Sequence, residues 1–359
     1  PGGPALGGAG REFEPGRRLQ GSVGPARARG AGLMLARAAA DFYWMGRYVE
    51  RAEQTARLLD YQLARLVDTP AEELARGWSI LYDIFGLAPP GLASDADEAE
   101  TFLIADAYTL AGAVVEDETR PASLLSCWGQ ARDNATQLRP WLPVQVWTTL
   151  NRGFLWLRDT EFAAAWAVGP ATLVREARDR LRLFGGVVDA TMSRDDAWRF
   201  MQLGCFVERL QQQAVLLGTW DRSGHVSGGS PSAWWAELLR ICDAYDFYCR
   251  SRSMVVRRDS ALMFLVRNPE LPRSLRFAVH QIGELLAGID PQGARYPLAP
   301  PHRMALHLAA SVEMSPRGGE GRGDDIGNTF NTLLADSLSL HELAMAAYVD
   351  YPVEEGLPA

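Results

Sequence analysis

The stretch YWMGRYVERAEQTARLL, from Tyr43 to Leu59, carries most of the information about how this chain folds. Apolar residues recur along it and beyond it at alternating spacings of three and four, which is typical of one buried face on an α-helix. The pattern predicts a helix of about 34 residues, roughly 50 Å long. Its apolar positions are Leu35, Ala38, Phe42, Met45, Val49, Ala52, Ala56, Leu59, Leu63 and Leu66.

The same motif returns as FMQLGCFVERLQQQAVLL, from Phe200 to Leu217. Both stretches contain Val-Glu-Arg, with a Gly four residues before the Glu and Leu-Leu at the end. A weaker echo links RPASLL at 120–125 with LPRSLR at 271–276, each of which opens a helix. Internal similarity of this kind indicates a repeated structural unit. An offset of 158 residues aligns Gly46 with Gly204, Glu50 with Glu208 and Arg51 with Arg209.

Helical periodicity continues through the rest of the chain, and no run shows the alternation of a strand. We therefore predict an all-α, multi-helix bundle built from two related halves, about 34–190 and 191–350. The halves are expected to pack as one body, because each repeated helix needs a partner for its apolar face. Further helices are predicted at 71–86, 98–116, 121–139, 142–158, 171–190, 194–220, 231–254, 258–267, 271–288, 300–313 and 325–350.

The two ends of the chain lack such a pattern. Residues 1–33 are rich in Gly, Pro and Arg, which predicts a disordered leader or a non-native extension. One helical domain is predicted over 34–350, and residues 351–359 are interpreted as a tail.

Composition excludes several classes of function. The net charge of -8 and the pI of about 5.3 disfavour a nucleic-acid backbone or an anionic membrane as partner. No apolar run is long enough for a membrane span. All 36 basic residues are Arg, so a lysine Schiff base and a Walker phosphate loop are excluded. If ATP is used, we expect another protein to bind it.

Cysteine and histidine patterns predict neither a metal site nor a cofactor. The four Cys form no C-x-x-C pair, and the five His are scattered without a metal-ligand spacing. We interpret the cysteines as buried free thiols in a reducing, cytoplasmic setting.

The repeated Glu-Arg pair allows two interpretations. In the structural one, Glu50 meets Arg209 and Glu208 meets Arg51 across a pseudo-twofold axis. In the functional one, these groups line a cleft between the halves and bind a polar ligand, because Arg forks suit carboxylates and phosphates. Glu50 is the candidate catalytic group. The candidate ligand-binding residues are Arg47, Glu50, Arg51, Glu53, Arg57, Arg132, Asn134, Glu208, Arg209 and Arg273.

The stretch MLARAAADFYWMGRYVERAEQTARLLD resembles the opening of the bacterial alpha-E family, helical proteins of unknown function that carry a Glu-Arg motif. The blocks WRFMQLGCFVER, ARDNATQLR, NPELPRSLRF and HELAMAAYVDY are also similar to that family. The chain departs from it in two places: Cys205 stands where a basic residue is usual, and Leu210-Gln211 stands where an Ala-Asp or similar pair is usual. The second half is therefore expected to have lost part of a symmetric site.

The resemblance implies a setting more than an activity. Such proteins are similar to ones encoded beside a circularly permuted ATP-grasp protein, and transglutaminase-like proteins are frequent neighbours. The resemblance therefore implies an accessory or substrate-binding subunit for ATP-dependent amide formation, with a peptide or amino acid as ligand. The alternative is a structural scaffold with internal salt bridges. A third hypothesis is a stand-alone transferase with Glu50 as general base, which requires an open pocket around Glu50.

Overall fold

A computed structural model describes residues 26–66, 69–88, 96–224, 230–315 and 324–349. Over these ranges the chain forms helices and no strand, which confirms the all-α prediction. The helices are α1 (Ala26–Leu63), α2 (Ala71–Phe85), α3 (Ala96–Val115), α4 (Leu124–Gln137), α5 (Val144–Asp159), α6 (Phe162–Val168), α7 (Thr172–Thr191), α8 (Asp196–Ser223), α9 (Pro231–Ile241), α10 (Tyr245–Ser251), α11 (Arg258–Arg267), α12 (Leu275–Ile289), α13 (Pro300–Met314) and α14 (Asp324–Tyr348).

Two of the predicted helical boundaries are wrong. The helix predicted over 231–254 is two helices, because Asp243 adopts a left-handed φ of 51° between α9 and α10. The short helix α6 lies between the predicted helices 142–158 and 171–190, where no helix is predicted. Helix α1 begins at Ala26, inside the segment interpreted as a leader, whereas residues 1–25 and the predicted tail 351–359 lie outside the described residues.

Helices α1 and α8 cross at the two repeated glycines. A Cβ atom added to Gly46 would lie 2.0 Å from the Met201 carbonyl oxygen, and one added to Gly204 would lie 2.0 Å from the Tyr43 carbonyl oxygen. Only glycine permits this backbone-to-backbone approach. The reciprocal contact places the two Val-Glu-Arg motifs side by side.

The apolar face predicted on α1 lies mostly in the core. Phe42, Met45 and Leu59 are buried there, while Val49 and Leu66 are only half-buried. Helices α4, α7 and α8 all pack against α1, and four of its charged side chains are buried as well: Arg47, Glu50, Glu53 and Arg57. The charged flank of α1 is therefore buried rather than solvated.

The two halves repeat the same order of packing. Helix α4 packs on α1 as α12 packs on α8, and α5 packs on α4 as α13 packs on α12. Helix α7 contacts α1 and α5, as α14 contacts α8 and α13. Equivalent N-cap serines, Ser123 and Ser274, begin α4 and α12 and each accepts a backbone hydrogen bond. The fold thus creates two equivalent half-sites beside the α1–α8 crossing.

None of the helices in the described ranges combines the length and the apolar composition that a bilayer span requires. All four cysteines are free thiols: Cys127 and Cys242 are buried, and Cys205 and Cys249 are partly exposed. The prediction that every thiol is buried is therefore wrong for the last two.

Candidate functional site

The two Glu-Arg motifs pair with each other across the crossing, as the structural interpretation predicts. Arg209 donates from Nε and Nη2 to the two carboxylate oxygens of Glu50, each at 2.7 Å. Arg51 donates from Nε and Nη2 to Glu208, at 2.7 and 3.1 Å. Both pairs are bidentate, which is the strongest geometry for an Arg–carboxylate contact.

The Glu208 carboxylate receives further donors, and we call Arg47, Arg51, Glu208, Gln211 and Gln212 the Glu208 cluster. Arg47 Nε and Gln212 Nε2 donate to Glu208 at 2.7 and 2.9 Å. Burial raises the pKa of Glu208, but hydrogen bonding from Arg51 and the charge of Arg47 outweigh burial and lower it overall. Glu208 is therefore an ionised, fully engaged acceptor and not a candidate base.

Around the other motif lies a second set of charges, which we call the Glu53 cluster: Glu53, Arg57, Arg182, Asp243 and Arg273. Arg273 Nη2 donates to both oxygens of Glu53 at 2.9 Å, and its Nε donates to Asp243 at 3.3 Å. Arg182 reaches the same two carboxylates at 3.3 and 2.8 Å. This half-site is thus filled by the protein's own side chains.

In the Glu53 cluster, the neighbouring arginines together affect the pKa of Glu53 more than its burial does. Burial raises the pKa of Glu53, but Arg273, Arg57 and Arg182 together lower the pKa to about 2. Arg57 is buried too, and it donates to the Ile241 carbonyl oxygen as well as to Glu53. Glu53 and Arg57 are hence internal structural groups that no ligand reaches.

Beside the Glu208 cluster the structure contains a cleft of about 280 Å³. Helices α1 and α8 form two of its walls, and the ends of α2 and α3, the turn before α4, and α14 form the others. The lining is amphipathic. It comprises Arg51, Gln54, Thr55, Leu58, Ile84, Phe85, Val114, Arg120, Ala122, Glu208, Gln211, Gln212, Val215 and Leu334.

The cleft exists because the charged residues of the Glu53 cluster have smaller or uncharged counterparts here. Under the repeat alignment, Gln211 replaces Glu53 and Val215 replaces Arg57. Ala122, one residue before Ser123, stands where Arg273 precedes Ser274. Leu334 on α14 lines the cleft, whereas α7, which packs equivalently in the first half, contributes Arg182 to the Glu53 cluster.

The structure does not bring all the predicted residues together. Arg51 and Glu208 line the cleft, and Arg47 supports Glu208 from behind. Arg132 donates to Asn151 at 2.7 Å and lies against the Phe154 ring, and neither it nor Asn134 lines the cleft. These two side chains miss it because α4 packs on α1 through a different face, formed by Cys127, Ala131 and Ala135.

Glu50 lacks the surroundings that the transferase hypothesis requires. It is 6% exposed, both of its oxygens accept from Arg209, and it does not line the cleft. The part of the chain that the structure describes contains no group of three His, Cys, Asp or Glu side chains arranged for a metal ion.

Several cleft residues escaped the sequence-based prediction, among them Gln54, Phe85, Arg120, Ala122 and Gln212. Two signals could have found some of them. The offset of 158 aligns Gln54 with Gln212, and the RPASLL–LPRSLR echo aligns Ala122 with Arg273. The first alignment shows a Gln retained in both halves, and the second shows an Arg of one half replaced by Ala in the other.

Comparison with known proteins gives one result. A family model, described as Alpha-E, a predicted alpha-helical domain with a conserved ER motif, matches residues 34–348. Neither the curated proteins nor the solved structures provided a match. The matched range contains both Glu-Arg motifs and nearly all the helices described above. On this evidence the chain belongs to the Alpha-E family.

Proposed function

We propose that this chain is the substrate-binding subunit of an amide-forming system in which a circularly permuted ATP-grasp ligase performs the ATP chemistry. The observation that carries the proposal is the cleft where the two halves meet, beside the repeated Glu-Arg motif. Its volume of about 280 Å³ lies at the lower end of small-molecule sites, so the ligand is an amino acid derivative or a short peptide.

Lack of activated groups supports a binding role. The carboxylate of Glu208 is engaged by Arg47, Arg51 and Gln212, so it has no free oxygen lone pair aimed at a substrate proton. The chain has no Lys that could hold an ATP phosphate. An activating partner is therefore needed for bond formation, and the ATP-grasp protein is our candidate.

The setting follows from the same proposal. We place the pair in the cytoplasm, where ATP is available and where the four free thiols stay reduced. A transglutaminase-like protein is a further candidate partner, acting on the amide bonds that the ligase forms. Nucleic acid and membranes are not part of this proposal, because the chain is acidic.

A structural scaffold remains the second candidate function, and one observation favours it. In both Glu-Arg pairs the carboxylate is buried and the guanidinium group is half-buried, which is an arrangement expected of internal ion pairs that set the register of two helices. The two candidates differ in whether the cleft matters, because a scaffold needs the ion pairs and not the cleft.

The test combines association with activity. The chain is co-purified with its neighbouring ATP-grasp protein, and amide formation is measured by mass spectrometry with and without the chain. We expect a stable complex and a reaction that requires the chain. Absence of a complex, together with an unchanged reaction when the chain is omitted, would disprove the proposal.

A cleft variant separates the two candidates. Phe85→Ala removes a half-buried ring from the cleft wall, and Leu183→Ala removes a side chain that is exposed elsewhere. A binding subunit predicts a raised KM for the amine or acid substrate with F85A and no change with L183A. Equal KM values for both variants, with the complex intact, would favour the scaffold.

A further inference from the structure

We infer that the cleft recognises a small anionic amide with an apolar side chain, namely the carboxylate end of a dipeptide or an N-acyl amino acid. The inference deepens the proposed function and rests on it, since it assumes that the cleft is the binding site. It is argued from three features of the lining: a pair of amide groups, an excess of positive charge and an apolar wall.

Gln54 and Gln212 occupy equivalent positions in the two halves, and both line the cleft. Arg57 donates to Gln54 Oε1. A guanidinium can only donate, so the orientation of the Gln54 amide is fixed and its Nε2 is left over. Gln54 is 3% exposed, and among the described residues its Nε2 has no hydrogen-bond partner.

The Gln212 amide is fixed in the opposite sense. Its Nε2 donates to Glu208 Oε1 at 2.9 Å, and an ionised carboxylate can only accept. Gln212 Oε1 is buried and has no donor from the part of the chain that the structure describes. Two residues of the cleft lining thus hold one unused donor and one unused acceptor between them, and these are the complement of the C=O and N–H of a single peptide bond. Buried polar groups of this kind require an explanation, and a bound amide supplies one.

Charge selects an acid rather than an amine. Arg120 lines the cleft, and its charge also acts on the nearby Asp117, although no carboxylate among the described residues lies within salt-bridge distance of its guanidinium group. Arg51 is 26% exposed on its side chain, and Arg47 adds a third guanidinium behind it. Glu208 is the one carboxylate in the lining, and its oxygens already accept four hydrogen bonds. A carboxylate ligand meets donors here, whereas an ammonium ligand meets no free acceptor of opposite charge.

The remaining wall is apolar and sets the character of the side chain. Ile84, Phe85, Val114 and Leu334 contribute to it from three different helices. An aliphatic side chain of the ligand is stabilised by burying its apolar surface against such a wall. The volume of about 280 Å³ excludes longer peptides from full enclosure.

The experiment measures binding of three probes to the full chain by calorimetry: N-acetyl-L-leucine, N-acetyl-L-leucinamide and L-leucine. We expect N-acetyl-L-leucine to bind best. The other two should each bind about tenfold more weakly, because one lacks the carboxylate and the other lacks the amide.

Three variants identify the groups involved. Arg120→Ala should abolish the preference for the acid over the carboxamide, and Arg139→Ala, an exposed Arg that does not line the cleft, should leave it unchanged. Gln54→Glu keeps the acceptor for Arg57 but replaces the free donor, so it should weaken binding of N-acetyl-L-leucine about tenfold. Circular dichroism checks that each variant is folded.

Equal affinity for the acid and the carboxamide, or no detectable binding of any probe to the wild-type chain, would overturn the inference. So would an Arg120→Ala variant that keeps the preference for the acid. These outcomes are distinct from failure of the proposed function, which is judged by association with the ATP-grasp protein and by the need for the chain in amide formation.

Discussion

Glu208 shows what a single carboxylate does in this molecule. It accepts from Arg47, Arg51 and Gln212 while its side chain is 3% exposed. Removing charges from water is costly, and such a group is stable only while every partner is present. Glu208 therefore links α1 to α8 at the point where the cleft begins.

Glu208→Gln should lower the free energy of unfolding by roughly 3–5 kcal/mol, because the buried Arg47 and the half-buried Arg51 lose their counter-charge. Asp159→Asn, which removes an exposed carboxylate from the Arg158–Asp159 pair, should change it by less than about 0.5 kcal/mol. Urea denaturation of both variants measures the difference. A Glu208→Gln variant as stable as Asp159→Asn would show that the cluster adds no stability.

Glu53 predicts a dependence of stability on acidity. Its pKa falls from the ordinary value of 4.5 to about 2 in the folded chain, so its contribution is complete above about pH 4.5 and is lost as the pH falls towards 2. The gap in unfolding free energy between wild type and Glu53→Gln should be at least roughly 3 kcal/mol near neutral pH and should narrow through that window. Glu176→Gln, at an exposed position, is the control. A gap that does not change with pH would contradict the lowered pKa.

Residue-level prediction from the sequence was successful where the repeat provides two copies to compare. The Glu50–Arg209 and Arg51–Glu208 pairs are one of the two interpretations that the alignment allows, and the structure contains both pairs. The partners of Glu53 were harder to find, because Arg182 comes from a segment that shows no echo elsewhere in the chain. A long-range ion pair between unrelated segments leaves no periodic signal.

At the scale of elements, the crossing of α1 and α8 determines the arrangement of the molecule. The two helices meet through main-chain atoms at Gly46 and Gly204, and the side chains on either side of that contact form the two clusters. The close approach accounts for a glycine at this position, because glycine is an unfavourable residue in a long helix unless a neighbour requires it.

Gly46→Ala should destabilise the fold by at least about 3 kcal/mol, because the new methyl group would overlap the Met201 carbonyl oxygen. Gly185→Ala on α7 is a matched control, since a Cβ there meets nothing within 4 Å. That control should be neutral or should stabilise by about 0.4–1 kcal/mol through the unfolded state. Thermal melting distinguishes the two. If Gly46→Ala and Gly185→Ala have the same melting temperature, the helices do not cross as described.

Helix prediction worked best for long segments with clear periodicity and failed where local geometry decides. The predicted span 258–267 matches α11. The break between α9 and α10 has no Gly or Pro to announce it, since an Asp adopts the left-handed conformation instead. Helix α6 has seven residues, too few to show a helical period.

At the scale of the whole molecule, the two halves are alike in packing and unlike in charge. The Glu53 cluster fills one half-site, and its counterparts leave a cleft in the other. Composition and periodicity could not reveal that cleft, because it results from residues such as Ala122 and Val215 being small or uncharged. A cavity forms where small side chains from distant segments come together. A sequence without its fold does not show which of its small residues lie next to each other.

The relation between the halves predicts the effect of Ala122→Arg. The new side chain starts where Arg273 starts in the other half, so it should enter the cleft and prevent probe binding while the fold stays intact. Adding Gln211→Glu should restore the equivalent of the Arg273–Glu53 pair and raise the melting temperature above that of Ala122→Arg alone. Leu306→Arg, at an exposed site on α13, controls for added charge. Undiminished probe binding by Ala122→Arg would show that the half-sites are not equivalent.

The unequal half-sites have a consequence for how this protein tolerates change. In a fold with two similar halves, each position has a counterpart in the other half. If the residues of one half-site stabilise the fold, the sequence of the other half-site can change. Substitutions of Arg57 and Arg273 should therefore be selected against, because they destabilise the fold. Substitutions of Val215 and Ala122 should be tolerated and should change which ligand the cleft binds. Differences in ligand preference between relatives would then result almost entirely from substitutions in the half-site that contains the cleft.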